Sequence, residues 1–299
     1  MSVWKRGFVM SFRTIVVKNR CKLEYSLNYL ICRGNDDEKR ILLDEIDFLI
    51  IQNTGVSITC ALMSMLVEKK IKVLFCDSKS NPQFELTPYY NNFETYRKIM
   101  EQVSVDKDFK GELWKRIVHE KIRNEWRLLV RVGSENSSKL EGYLKEIEAD
   151  DSSNREGHAA KVYFNSIFGT GFSRGNDEDE RNAFLNYGYS ILVSLINREI
   201  KMAGYLTEVG IHHRGETNSF NFSYDIVEPL RTYVDSFVVS GKANASNYKG
   251  FFIYMLENKV FINDKLMYLN NAIHVYVQSV ISALSKKDVN EVKFIEYEL

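Results

Sequence analysis

Two segments about fifty residues apart hold the side chains best suited to chemistry. The first is Asn154-Arg-Glu156-Gly-His-Ala-Ala160-Lys161-Val-Tyr163-Phe164. The second is Gly210-Ile-His212-His213-Arg214-Gly, followed by Tyr224-Asp225-Ile-Val-Glu228-Pro229-Leu-Arg231. A histidine with carboxylates is a ligand set for a hard or borderline divalent cation. Arginines flank both clusters, and the natural companion of a metal among guanidinium groups is a phosphate. Together these features point to an enzyme acting on nucleic acid.

Each residue also has a plainer reading. Asn154 is a candidate N-cap, which puts Glu156 in a first helical turn where a carboxylate merely complements the dipole. Small residues at Gly157, Ala159 and Ala160 would let a helix or a DNA backbone come close, with Lys161 and Tyr163 projecting toward phosphate and base or sugar. His212 and His213 are adjacent, point different ways, and can supply at most one metal ligand between them. Asp225 and Glu228 lie at i and i+3 on one helical face, where two carboxylates repel unless a cation joins them. Alternatively, they are a first turn that favours acids. Pro229 restricts Glu228 and kinks the helix beside it. The segment Gly169-Thr-Gly171-Phe-Ser-Arg174-Gly175 reads as a flexible loop able to close on a strand.

These residues need elements to position them. The 299-residue chain is 44% hydrophobic and 27% charged, ordinary for a folded protein. Its four cysteines (Cys21, Cys32, Cys60, Cys76) form no CxxC pair, so buried, reduced thiols are expected and zinc is not. No signal peptide and no membrane span is evident, which fits a prokaryotic cytoplasm. The net charge is zero, yet residues 110 to 131 carry seven basic positions against three acidic ones, so the basic charge is expected to be patchy.

Period-two alternation dominates before residue 90, with strands at Arg13–Val17, Ile46–Ile51 and Ile71–Cys76 and one helix from Ile58 to Val67. Leu23, Tyr25, Leu27 and Tyr29 alternate as a strand would. Helices are expected at 93–104, 108–132, 137–148, 155–168, 179–203, 224–238 and 260–284, with Asn91-Asn92 as a linker. The fold class is therefore α+β: a small β-rich N-terminal domain over 1–92, followed by a larger all-α domain over 93–299. The tail Val292-Lys-Phe294-Ile-Glu-Tyr297 is expected to pack locally or fray.

The ordered set Glu156-Gly-x-Ala-Ala-x-x-Tyr163-Phe164, Arg174, Asn182-Ala-Phe-Leu-Asn-Tyr187-Gly-Tyr189, Gly210-Ile-His-His213 and Asp225-x-x-Glu228-Pro229-x-Arg231 resembles the CRISPR-associated integrase, the endonuclease of spacer acquisition. The N-terminal run from Phe12 through Leu43-Asp-Glu-Ile-Asp47 to Leu74-Phe-Cys-Asp77 looks like the version found beside a single large RNA-guided nuclease. The family begins near Met10, which makes residues 1–9 look like an extension.

The resemblance implies that Glu156, His213 and Glu228 hold Mg²⁺ or Mn²⁺ and carry catalysis, with Asp225 in support. Aspartate is common in the family where this chain has Glu228. Arg155, Lys161, Tyr163, Arg174 and Arg231 are the expected DNA contacts. Implied partners are a prespacer duplex, the CRISPR repeat, a second copy of the chain through the β-rich domain, the second Cas protein and other adaptation proteins of the locus. Two further readings compete: a non-catalytic DNA-binding scaffold of the same fold, and a metal hydrolase for a small phosphoester.

Overall fold

The computed structural model describes residues 13–34, 37–89 and 94–298. The chain divides into two compact units, Met1–Tyr89 and Tyr90–Leu299. The expected boundary at 92, the Asn91-Asn92 linker and the extension over 1–9 lie outside the described residues.

The first unit holds β1 (Arg13–Val17), β2 (Lys22–Ser26), β3 (Tyr29–Arg33), β4 (Glu38–Leu42), β5 (Ile46–Ile51), β6 (Ser57–Ile58), α1 (Cys60–Glu68), β7 (Lys72–Cys76) and β8 (Pro82–Glu85). One sheet has the order β1-β5-β7-β8 and the other β4-β3-β2-β6. All six residues of β5 are buried, as suits a strand with parallel neighbours β1 and β7 on both sides. Leu23, Leu30, Leu49, Leu62, Leu66 and Val73 anchor the core.

The alternation through Leu27 and Tyr29 turns out to be two strands. Leu27 and Asn28 both have positive φ, the signature of a tight hairpin turn, and Leu27 is 86% exposed there. The first helix starts two residues later than expected. Ser57 and Ile58 pair with β2 as β6, and the Thr59 hydroxyl accepts from the Leu62 amide to open α1. Cys76 is buried as expected, whereas Cys60 is exposed at the first position of α1.

The second unit runs α2 (Thr95–Ser104), α3 (Lys107–Arg131), α4 (Ser137–Leu144), α5 (Arg155–Phe168), α6 (Glu180–Met202), α7 (Asn221–Val239), α8 (Tyr248–Tyr254), β9 (Lys259–Ile262), β10 (Lys265–Tyr268) and α9 (Leu269–Lys286). Its centre is α3, which packs on α4, α5 and α7, while α7 also packs on α6. Gly188 lets α6 and α7 close up: a Cβ there would stand 3.1 Å from the Phe252 ring and 2.5 Å from Val234 Cγ1.

The helical unit is thus not helical throughout. Residues 260 to 268, expected to begin the last helix, form most of a hairpin that turns at Asn263-Asp264, both with positive φ. The tail does pack: Val292, Ile295 and Tyr297 are buried, and Glu296 bridges to Phe261. No described helix is long and apolar enough to cross a membrane.

Candidate active site

The site forms where α3, α5, α7 and the loop before α7 meet. Residues 114, 117, 118, 121, 122, 125, 128 and 129 of α3 are all buried, a helical stripe facing the neighbouring helices. Two of these are charged, Lys121 and Glu125. The Lys121 ammonium is an ion-pair partner of Glu156 on α5 and lies 2.6 Å from Glu228 Oε2 on α7. Arg231, one turn beyond Glu228, donates from Nε to Glu228 Oε1 at 2.8 Å. Burial alone would raise the Glu228 carboxyl, but the Arg231 and Lys121 cations outweigh it and hold it at about 2. Burial likewise works against the Lys121 charge, and the surrounding carboxylates overcome it and raise its pKa.

Glu125 is the exception. Fully buried, with Oε2 lacking a partner among the described residues, it is pushed up to about 8 by desolvation and by neighbouring carboxylates, against the pull of Lys121. Burial thus favours its uncharged form.

Glu156 owes its place to an unexpected cap. Asn154 sits in the left-handed region and makes no side-chain cap. Instead, the Asp151 carboxylate accepts from the amides of Arg155 and Glu156, both at 2.9 Å. A carboxylate that satisfies two first-turn amides fixes where α5 begins.

The histidine loop is organised by Asp225. Its fully buried carboxylate accepts the amides of Ile211 (2.5 Å), His212 (3.1 Å) and His213 (3.0 Å), and binds His213 Nδ1 at 2.6 Å. Gly210 has to be glycine, because a Cβ would stand 2.7 Å from Asp225 Oδ2 and collide with the His213 carbonyl. With Nδ1–H given to Asp225, the accepting lone pair of His213 is at Nε2, the arrangement by which carboxylates orient metal-binding imidazoles. The hydrogen bond to Asp225 also raises the His213 pKa, against the effect of burial. His212 has another role: it stacks on Trp114 with ring centroids 4.5 Å apart and its Nδ1 meets Asp150 at 3.0 Å.

The expected DNA contacts divide. Lys161 is exposed. Tyr163, expected to project toward nucleic acid, is buried at 0% exposure and donates to Asp235 Oδ2 at 2.7 Å, which makes it a core residue. Tyr189 donates to the other oxygen of Asp235. Arg155 pairs with Glu146 at 3.1 Å and covers the Tyr143 ring. Arg174 reaches Asn182 and Asn186 and lies over Tyr189, and Arg231 lies over Tyr189 at 4.6 Å. The 169–175 loop is pinned, since Asn182 Nδ2 donates to the Ser173 and Asn176 carbonyls, each at 2.8 Å.

The basic stretch of α3 also fails to form one face, because successive helical residues turn around the axis. Lys121 goes inward, Arg123 pairs with Glu120, and Arg127 donates to the Tyr297 carbonyl. Beside His213, a cleft of about 480 Å³ is lined by Lys110, Arg214 and the loop from Glu208 to Asn221. Burial and the nearby Arg214 charge lower the pKa of Lys110.

In the sequence Lys121 and Glu125 are legible only as members of a charge run and Asp151 only as part of an acidic stretch, while Trp114 carries no signal of a role at the site. For the first two a signal was present: Lys121 and Glu125 fall on the apolar stripe of α3, where a charge needs a partner.

The donors fit Mg²⁺ or Mn²⁺ in kind, being two carboxylates and an imidazole oriented by a third carboxylate. Two of the three expected ligands, Glu156 and Glu228, converge, and what they converge on is Lys121. Among the described residues no three His, Cys, Asp or Glu side chains are grouped to hold a metal ion.

Fold and site define an α+β protein whose helical unit joins two carboxylates through a lysine and sets a braced imidazole beside a cleft of mixed charge. The family model described as CRISPR associated protein Cas1 matches residues 14–269, and the chain belongs to that family. It is 32% identical over 231 residues to a CRISPR-associated endonuclease Cas1 of Neisseria meningitidis serogroup C (strain 8013), covering 77% of this chain and 76% of that one. A casposase bound to integration product shares the fold at a TM-score of 0.74 and 20% identity, over 96% of this chain and 94% of that one. A chain of a Cas6-RT-Cas1–Cas2 complex superimposes at 0.72 with 18% identity; the match spans 96% of this chain but 36% of that longer one.

Proposed function

We propose that this protein is a metal-dependent DNA endonuclease and integrase that inserts short DNA fragments into a CRISPR repeat array. The observation that carries the reading is the convergence of Glu156 and Glu228 from different helices on one point, in a unit whose histidine loop is fastened by Asp225. Family membership and the likeness to a casposase support it.

Glu156, Glu228 and His213 Nε2 are the groups that would hold Mg²⁺ or Mn²⁺, and such an ion supplies charge stabilisation at a phosphodiester oxygen. The chain's own residues do the rest. Asp225 holds the imidazole at one angle and one tautomer. Arg231 fixes one oxygen of Glu228, which leaves the other to face the site. Lys110 and Arg214 place cations in the cleft beside His213, where the DNA backbone would lie. Holding two DNAs in line supplies much of the rate. The 3′-hydroxyl of the fragment loses its proton and bonds to phosphorus. The 3′-oxygen of the repeat strand leaves and takes up a proton. Water in place of the hydroxyl gives hydrolysis. Partners under this reading are a second copy of the chain through the β-rich unit, the second Cas protein and duplex DNA.

One observation favours a non-catalytic DNA-binding scaffold instead: Lys121 already pairs with both carboxylates, and Arg231 supplies the second positive charge at Glu228. The experiment that decides combines labelled short duplex, supercoiled repeat plasmid, the second Cas protein and Mn²⁺ or Mg²⁺. Joined product is expected with the wild type. Glu156→Ala and His213→Ala should abolish joining, by more than about 100-fold, with duplex affinity kept. Joining that survives in both variants refutes the catalytic assignment.

A further inference from the structure

A buried lysine lies between the two carboxylates proposed as metal ligands. The Lys121 side chain is 8% exposed and that of Glu228 6%, so water does little to screen the pair. The ammonium lies between carboxylates from two separate helices, at the point where an ion binding both would have to sit. The lysine belongs to the centre of α3, so its position is set by the main packing of the unit.

Two like charges held that close favour a cation between them; Arg231 takes the far oxygen of Glu228, and Lys121 supplies the cation on the side shared with Glu156. A lysine supplies a single positive charge on a four-carbon stem with several rotatable bonds, and it can withdraw where a fixed ligand cannot. A divalent ion brings two charges to the same oxygens. The two cations cannot occupy one seat together.

We infer that Lys121 is the exchange cation of this site: it holds Glu156 and Glu228 together in the metal-free protein and yields them when a divalent ion binds. This rests on the proposed metal-dependent reading and adds to it a residue that sets metal affinity. Two consequences follow. Metal binding works against the lysine's ion pairs, which weakens the apparent affinity. The carboxylates stay preorganised without metal, so the helical unit folds before it is loaded.

The test is Mn²⁺ binding, measured by calorimetry and by loss of the free Mn²⁺ electron paramagnetic resonance signal, on wild type, Lys121→Met and Glu156→Gln. Lys121→Met is expected to bind Mn²⁺ at least about tenfold more tightly than wild type. Its melting temperature should fall in chelator and recover with Mn²⁺ by more than the wild type gains. Equal or weaker Mn²⁺ affinity in a cooperatively melting Lys121→Met overturns the inference. A variant that unfolds in chelator and that Mn²⁺ does not rescue overturns it as well. A crystal structure of the wild type with Mn²⁺ gives a readout free of mutation: Lys121 Nζ should lie beyond hydrogen-bond distance of both carboxylates, and an ammonium still bridging them beside a bound ion refutes exchange. Should neither wild type nor Lys121→Met bind Mn²⁺, the metal reading itself fails and the exchange with it. Binding lost only in Glu156→Gln but indifferent to Lys121 sinks the exchange alone.

Discussion

Glu125 shows how little room this site leaves for an uncompensated charge. One turn from Lys121 on the same buried stripe, it has no partner for Oε2 among the described residues, and burial raises its pKa from 4.5 to about 8. The linkage follows from the sign of that shift. Between those two values the folded state binds a proton that the unfolded chain releases, so stability falls as pH rises. The contribution is complete below about pH 4.5 and is lost as pH climbs through 8. Glu125→Gln keeps the shape without the titration. In chelator, its unfolding free energy should lie close to the wild type near pH 5 and exceed it by about 4 kcal/mol at pH 9. Urea melts across pH 5 to 9 measure this, and parallel curves for the two proteins would refute the assignment. Residue types were legible at this scale in one respect only. Glu156, His213, Asp225 and Glu228 stood out because carboxylate and imidazole groups clustered in polar contexts. Lys121 and Glu125 did not, because a charge on an apolar stripe looks like surface until the neighbouring helices are in place.

The elements were read best where local physics is strong. The strands Arg13–Val17 and Ile46–Ile51 and the helix Arg155–Phe168 fall where apolar periodicity put them. The misses have local causes. The helix expected from 260 contains an Asn-Asp pair that turns a hairpin, a signal outweighed by the apolar periodicity around it. The strand through Leu27 reverses at two residues with positive φ, one of them a leucine whose type gives no hint of a turn. From sequence Tyr163 reads as a surface aromatic, because its tertiary partner Asp235, on α7, lies 72 positions away. Close approach of α6 and α7 was legible only as a glycine of unknown purpose. Gly188→Ala should destabilise the protein by about 1–3 kcal/mol, because the new methyl meets a branched valine and a buried ring that have nowhere to go. Differential scanning calorimetry checks this, and an unchanged melting temperature would mean that the helices part without cost.

For the whole molecule, zero net charge means that DNA affinity has to come from where cations are placed. On α3, Lys121 and Arg123 pair with carboxylates and Arg127 with the C-terminal tail, which takes charge out of the basic stretch. The cleft beside His213 keeps Lys110 and Arg214 together. Replacing both by alanine should reduce the slope of log affinity against log salt by about two, roughly 0.9 for each phosphate that is no longer neutralised. Fluorescence anisotropy titrations on a short duplex from low to moderate salt test it, and an unaltered slope would place the backbone elsewhere. The last described residues matter as much as the charges. Tyr297 is buried, and its hydroxyl donates to the carbonyl of Pro229, next to Glu228. During synthesis, α7 therefore waits for a support made some seventy residues later. A nascent chain interrupted just short of that tyrosine would already contain every side chain of the site, and still lack the wedge that steadies the helix bearing Glu228.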